Sequence, residues 1–188
     1  VYPKDSPLRE GKIELKYMTA KEEDILTSQN LIKKGVVIDT LLDSLILTEG
    51  IKSEDLILGD KNAVMVAARI LAYGPEYSCE ITDPSTGDKF EQNFNLADCP
   101  FKKLPDKNDS NEFIIKLPVS KKTIKFKLLT GTEEKLIASE LKAREKLNSQ
   151  ISYELTTRLK HTIVEVDGSD DQVTINTFVD NMLSKDSL

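Results

Sequence analysis

Two cysteines, one histidine and a few paired acids are the residues of this chain whose chemistry could do more than hold a fold. Cys79 and Cys99 form no CxxC pair, and His161 has neither a second imidazole nor a cysteine near it in sequence. A metal site or a Cys–His couple would therefore have to be assembled from distant segments. The expectation is two small, half-buried thiols that stay reduced, and a histidine at the surface or at a helix end. Acid pairs such as Glu22 and Glu23 fall in helix first turns, where the positive end of the helix dipole accounts for them. Residues 167–172, "DGSDDQ", have the residue types of a calcium loop without the twelve-residue ligand ladder closed by a bidentate Glu; helix punctuation explains them. No P-loop, GxGxxG, GxSxG or HExxH occurs. The chain reads as a non-enzyme with no catalytic, cofactor-binding or metal-binding residues, since only scattered Asp and Glu could serve general acid–base work.

Charge narrows the partners. The 188 residues carry 26 Lys and Arg against 32 Asp and Glu, a formal charge of −6. Phosphate recognition depends on clustered Lys and Arg, so nucleic acid is not the expected partner. Lys121, Lys122, Lys125 and Lys127 bunch together, but as alternating positions of a strand. No stretch reaches the roughly 18 to 20 apolar residues needed to span a bilayer. The start, "VYPKDSPLREG", has neither the basic nor the apolar region of a signal peptide, so the chain is expected to be made and kept in a cytoplasm. Because it begins with Val1 rather than Met, it is compatible with being a fragment.

The elements that would position these residues follow from periodicity and capping. Residues 12–17, "KIELKY", alternate as a half-buried strand does. Thr19 and Glu22 make a capping box that starts a helix carrying Ile25, Leu26 and Gln29 and stopping at Gly35. Val37, Leu41, Leu42 and Leu45 form one apolar helical stripe. Ser53, with Glu54 and Asp55, caps a single short turn that ends at Gly59. Further on, "EYSCEITDPSTGDKFEQNFNL" is a β-hairpin in which Tyr77, Cys79 and Ile81 share one face of the first strand and Phe90, Gln92 and Phe94 one face of the return. After the polar link "FKKLPDKNDSN", a second hairpin pairs "EFIIKL" with "TIKFKLL". Together these suggest one antiparallel sheet of about four strands, with residues 12–17 as a further candidate. The last third reads as helical. Thr132 caps a helix whose stripe of Leu147, Ile151, Leu155 and Leu159 either runs through Asn148 and Ser149 or breaks there. Ser169 with Gln172 then caps a final helix bearing Val173, Ile175, Phe178, Val179 and Met182. The fold class expected is α+β, helices packed on a small antiparallel sheet of β-hairpins with a mainly helical C-terminal third. Domain limits fall at residues 1–104 and 105–188, or the chain is one continuous domain.

The most apolar run, "GDKNAVMVAARILAYGPEY" at residues 59–77, is bounded by Asp60 as N-cap and by Gly74 and Pro75 as stop, giving a helix over 61–73. It has almost no polar face, so it should be buried centrally, with the hairpin packed beside it. Ala63, Ala67 and Ala68 permit close helix approach. Arg69, alone in this run, must run its stem to solvent or meet a carboxylate, with Glu54, Asp55, Asp60 and an acid of a neighbouring subunit as the candidates.

The run "EDLILGDKNAVMVAARILAYGPEYSCEITDPSTG" resembles the central signature of the T-even-type bacteriophage baseplate hub proteins. The matching pieces are a Gly-Asp helix start (Gly59, Asp60), an arginine near the helix end (Arg69), and a Tyr-Gly-x-x-Tyr exit into a hairpin (Tyr73, Gly74, Glu76, Tyr77). Flanking segments, "GKIELKYMTAKEEDIL", "LTTRLKHTIVEVDG" and "INTFVDNML", fit too, so the resemblance covers most of the chain. It departs at the hairpin turn. Where many such proteins have a zinc knuckle of the CPxCG kind, this chain has "DPSTG", with Asp83 and Thr86 in place of thiols, and no metal is expected there. Relatives are also expected to continue beyond "DNMLSKDSL".

The resemblance implies a structural or morphogenetic protein of a contractile-tailed phage, assembled in the host cytoplasm and located in the virion's tail baseplate. It would be a hub subunit or hub assembly factor working by contacts with other hub proteins, with the tape-measure protein and further copies of itself as additional candidates. A transient cytosolic tail-assembly chaperone is the alternative, and a hub-associated hydrolase the third reading. Arg69, Ala67, Tyr73, Gly74 and Tyr77 are the candidate structural or interface residues.

Overall fold

The structure is a computed structural model that describes residues 1–99, 110–147 and 150–187. It is an α+β protein with two small antiparallel sheets and a largely helical C-terminal region, the class expected from the sequence. Its two compact units are discontinuous along the chain. One comprises Gly11–Ser53 and Gly59–Asp106, the other Val1–Glu10, Glu54–Leu58 and Lys107–Leu188. The polar link falls mostly at residues 100–109, outside the described residues, as do Asn148 and Ser149.

In the first unit, α1 (Ala20–Thr27) opens on the Thr19–Glu22 pair. The Glu22 carboxylate accepts from the Thr19 backbone N–H at 2.9 Å and from its hydroxyl at 2.5 Å. The expected single helix is broken at Ser28 into α1 and α2 (Gln29–Lys34), and α2 stops at Gly35 with φ +70°. At Ser28 φ −67° and ψ 106° are extended rather than helical, and Ser competes for backbone hydrogen bonds instead of continuing a helix. Helix α3 (Val37–Leu45) buries Leu41, Leu42 and Leu45. Leu41 and Leu45 form a core with Ala68, against which Leu15, Met18, Ile25 and Leu26 pack. Residues 12–17 do not make the expected strand. Only Leu15 bridges Ile46, through the Lys16 N–H to the Leu45 carbonyl at 2.9 Å and the Leu47 N–H to the Glu14 carbonyl at 2.8 Å. Ser53 does not act as the expected N-cap. Its N–H donates to Asp43 Oδ1 at 2.7 Å and its hydroxyl to the Asp39 carbonyl, within a 3-10 turn, Ser53–Asp55.

Helix α4 (Leu58–Tyr73) begins one turn before the expected start. The Leu58 N–H donates to the Leu129 carbonyl at 3.0 Å and Ile57 bridges Thr130, so non-local backbone replaces the Asp60 cap. Asp60 and Gly59 consequently lie in the first turn. Nor is α4 the wholly buried helix that its composition suggested. Val64 and Ala68 are its buried residues, while Met65, Leu71 and Tyr73 are exposed. Beyond it come β1 (Glu76–Thr82) and β2 (Lys89–Asn95), paired in the register Tyr77↔Phe94, Cys79↔Gln92 and Ile81↔Phe90. This hairpin is not packed along α4: every residue of β2 is exposed, and in β1 only Cys79 and Ile81 are half-buried.

The second unit is built on β3 (Phe113–Lys116), β4 (Thr123–Phe126) and β5 (Ile163–Val166), in that order. The second hairpin is therefore present, but it forms a separate sheet with a strand that the helical reading of the last third missed. The β-branched, alternating "IVEV" is the signal for it. Helix α5 (Gly131–Leu147) is capped at Thr130, not Thr132: the Glu133 carboxylate takes the Thr130 N–H at 2.6 Å and its hydroxyl at 2.9 Å. Helix α6 (Glu154–Thr162) follows. Helix α7 (Gln172–Asp180) is capped by Asp171 instead of Ser169, through bonds of 2.8 Å from the Thr174 N–H and hydroxyl. The core joins Leu117, Ile124, Ile163 and Val166 to Ile175 and Val179, with Leu159, Phe178 and Met182 packed against it. Among the described residues no helix is long and apolar enough to cross a membrane.

Candidate functional site

Most of the residues whose types could do chemistry are engaged in structure. The cysteines are free thiols: Cys79 is half-buried, while Cys99, expected to be half-buried too, is exposed. His161 lies in the last turn of α6, with Nε2 3.2 Å from Glu140 Oε2. In the "DGSDDQ" segment Asp167 takes the Lys122 ammonium at 2.9 Å and the Thr123 N–H at 2.8 Å, while Asp171 caps α7. The bunched lysines do not alternate along one strand as expected, since only Lys125 lies in β4 while Lys121 and Lys122 precede it and Lys127 follows; Lys125 pairs with Glu165 at 2.7 Å and Lys127 with Glu133. At the turn between β1 and β2, Asp83 accepts from the Ser85 N–H at 2.8 Å and hydroxyl at 2.6 Å, and Thr86 Oγ1 accepts from the Asp88 N–H. These local bonds, with Gly87 at φ +79°, close the turn. Among the described residues no group of three or more His, Cys, Asp or Glu is placed to hold a metal ion.

What the structure does bring together is Arg69, Tyr73, Gly74 and Tyr77. Tyr73 is the last residue of α4, and Gly74 follows at φ +83°, the left-handed conformation that ends helices, its N–H donating to the Ile70 carbonyl at 2.9 Å. That turn swings the chain so that the guanidinium of Arg69, one helical turn back, meets backbone carbonyls of the segment leaving the helix. Its Nη1 donates to the Gly74 carbonyl at 3.1 Å and its Nη2 reaches the Glu76 carbonyl at 3.4 Å. The same group lies 4.8 Å from the centre of the Tyr73 ring and 5.9 Å from that of Tyr77, within cation–π range. Two backbone carbonyls and two ring faces thus take the place of the carboxylate expected from the sequence. The Tyr73 hydroxyl donates to Glu23 of α1, which raises the phenol above its ordinary pKa. The Leu96 N–H bonds the Pro75 carbonyl at 2.8 Å and closes the base of the hairpin. Ala67 is half-buried on α4 and stands outside this cluster.

The clasp fixes how a two-stranded ribbon leaves the helix. The register puts Tyr77, Cys79 and Ile81 opposite Phe94, Gln92 and Phe90, so that all six side chains share one face. Tyr77, Phe90 and Phe94 are 43%, 46% and 45% exposed, so nothing in the described chain covers them fully. The other face is polar and includes the directly opposed pair Glu80 and Glu91. An isolated two-stranded ribbon is marginal in water without a third strand or a packed face. Sequence reading found the two strand faces but not their exposure, because alternation reports a sidedness and not what lies against it.

Compared with known proteins, residues 2–117 match a family model described as T4 bacteriophage base plate protein. No curated protein and no solved structure matches the chain.

Proposed function

Because the chain belongs to the family of T4 bacteriophage base plate proteins, we propose that it is a baseplate hub subunit or hub assembly factor of a contractile-tailed phage, acting by protein–protein contact. The observation carrying this reading is the hairpin, tied to its helix by the Arg69 clasp, whose aromatic face is left partly exposed. Contiguous apolar surface rimmed by polar residues is the mark of a contact site, and a rigid attachment lowers the entropy cost of binding there. The helix-exit residues Arg69, Tyr73, Gly74 and Tyr77 would thus serve recognition indirectly, by orienting the hairpin. A structural rather than catalytic role is supported by the engagement of Glu133, Asp167 and Asp171 in caps and backbone bonds. Other hub proteins are the proposed partners, with the tape-measure protein and further copies of the chain as additional candidates, and assembly is proposed to take place in the host cytoplasm.

Mass spectrometry of purified virions and of tail intermediates tests this reading. Presence at fixed stoichiometry in both is expected of a hub subunit. Presence in intermediates alone would instead identify a transient assembly chaperone, and absence from both would overturn a baseplate role.

A further inference from the structure

We propose that the aromatic face of the β1–β2 hairpin docks a segment of another baseplate protein that presents an apolar stripe flanked by lysines and arginines. This rests on the baseplate reading above and adds the chemistry of the partner. Two observations select that occupant. The first is charge. Residues 76–98 hold six acids, Glu76, Glu80, Asp83, Asp88, Glu91 and Asp98, against one base, Lys89, a net of −5. A two-stranded ribbon is a single pleated layer, so the carboxylates of its polar face and turn act on an occupant of the apolar face across about one Debye length, roughly 8 Å at physiological salt. The like-charged pair Glu80–Glu91 sits in register, with Lys89 bonded to Glu80 at 2.7 Å, and a directly opposed like pair is itself unfavourable. A cationic partner relieves this field, whereas a second copy of the hairpin would double it.

The second observation is size. Three rings, each a little under half exposed, leave roughly 300 Å² of apolar surface when a fully buried aromatic covers about 150 to 250 Å². That is well short of the roughly 800 Å² per partner of a stable interface between folded proteins, so this face alone cannot hold a symmetric dimer. It suits one short helix or strand, gripped by the rings and steered by the acids.

The test places the photoreactive residue benzoyl-phenylalanine at position 90 of the full chain during phage assembly, followed by illumination of purified particles and of tail intermediates and sequencing of the cross-linked peptide. A peptide from another tail protein with net positive charge and interspersed apolar residues is expected. The charge reversal Glu91→Lys, which gives Glu80 an opposed partner and so preserves the hairpin, should cut the cross-link yield about two- to threefold. A cross-link to another copy of this chain would overturn the proposal in favour of self-association. So would a neutral or acidic peptide, an undiminished yield with Glu91→Lys, or no cross-link from a chain that is present in the particles. If the chain is missing from particles and intermediates alike, the baseplate reading falls as well, which separates that failure from failure of the docking face.

Discussion

Removing the Arg69 guanidinium takes two donors from the carbonyls of Gly74 and Glu76 and a cation from two tyrosine faces. Arg69→Met should therefore destabilise the chain by about 1 to 2 kcal/mol and speed hydrogen exchange of the β1 amides. Arg69→Lys should recover little, because a point charge cannot fork to two carbonyls while stacking on a ring. Equal exchange in all three proteins would show that the clasp does not hold the hairpin. Glu22 makes the second prediction at this scale. It is fully buried, and the Lys16 ammonium at 2.8 Å, joined by the Thr19 hydroxyl and N–H, lowers its pKa to about 2. Its folded pKa lies below the ordinary carboxylate value, so its contribution is present above about pH 4.5 and is lost as pH falls toward 2. Melting curves of Glu22→Gln should accordingly show a lower Tm at pH 7 and a flatter fall in acid than the parent; parallel curves would contradict the assignment. The capping role of Glu22 was legible from the spacing of Thr19 and Glu22, but its burial was not, since nothing local says which face of a first turn the fold will cover.

Helix α4 shows how far local pattern carries at the scale of an element. Its end was readable because Gly74 and Pro75 are chemical stops. Its beginning was not, because a distant segment, residues 129–131, supplies the backbone partners that start it. Apolar composition likewise overstated its burial: an all-round apolar surface says that something should cover it, not that this chain does. Strand β5 was missed for a related reason, its short β-branched run lying directly after a helix and finding its partner, β4, by tertiary pairing. Two substitutions test the packing. Ala68 touches Leu41 and Leu45 in the core, so Ala68→Leu should overpack it by roughly 1 to 3 kcal/mol, lowering Tm by about 4 to 8 °C per kcal/mol in a unit of this size. A Cβ at Gly74 meets nothing within 4 Å, so Gly74→Ala should cost only the left-handed backbone strain, about 1 to 2 kcal/mol. A much larger loss would mean that this exit is packed more tightly than described.

For the whole molecule, most helical segments and both hairpins came from sequence, whereas every N-cap but the Thr19–Glu22 box was misplaced, and the gathering of segments 1–10 and 54–58 with the C-terminal unit was not legible, since no periodicity marks which remote segments share a core. The docking face belongs to the same class of property. It becomes visible only once the register aligns Tyr77 with Phe94 and Ile81 with Phe90 and the fold leaves the three rings nearly half exposed. The central claim is that a baseplate protein of this family holds this hairpin out for a neighbour to cover, and a cryo-EM map of the intact tail tests it most directly. Density for the chain in the baseplate, with Tyr77, Phe90 and Phe94 buried beneath another protein, is expected. A map in which the chain occupies the baseplate while these three rings face open solvent would contradict it.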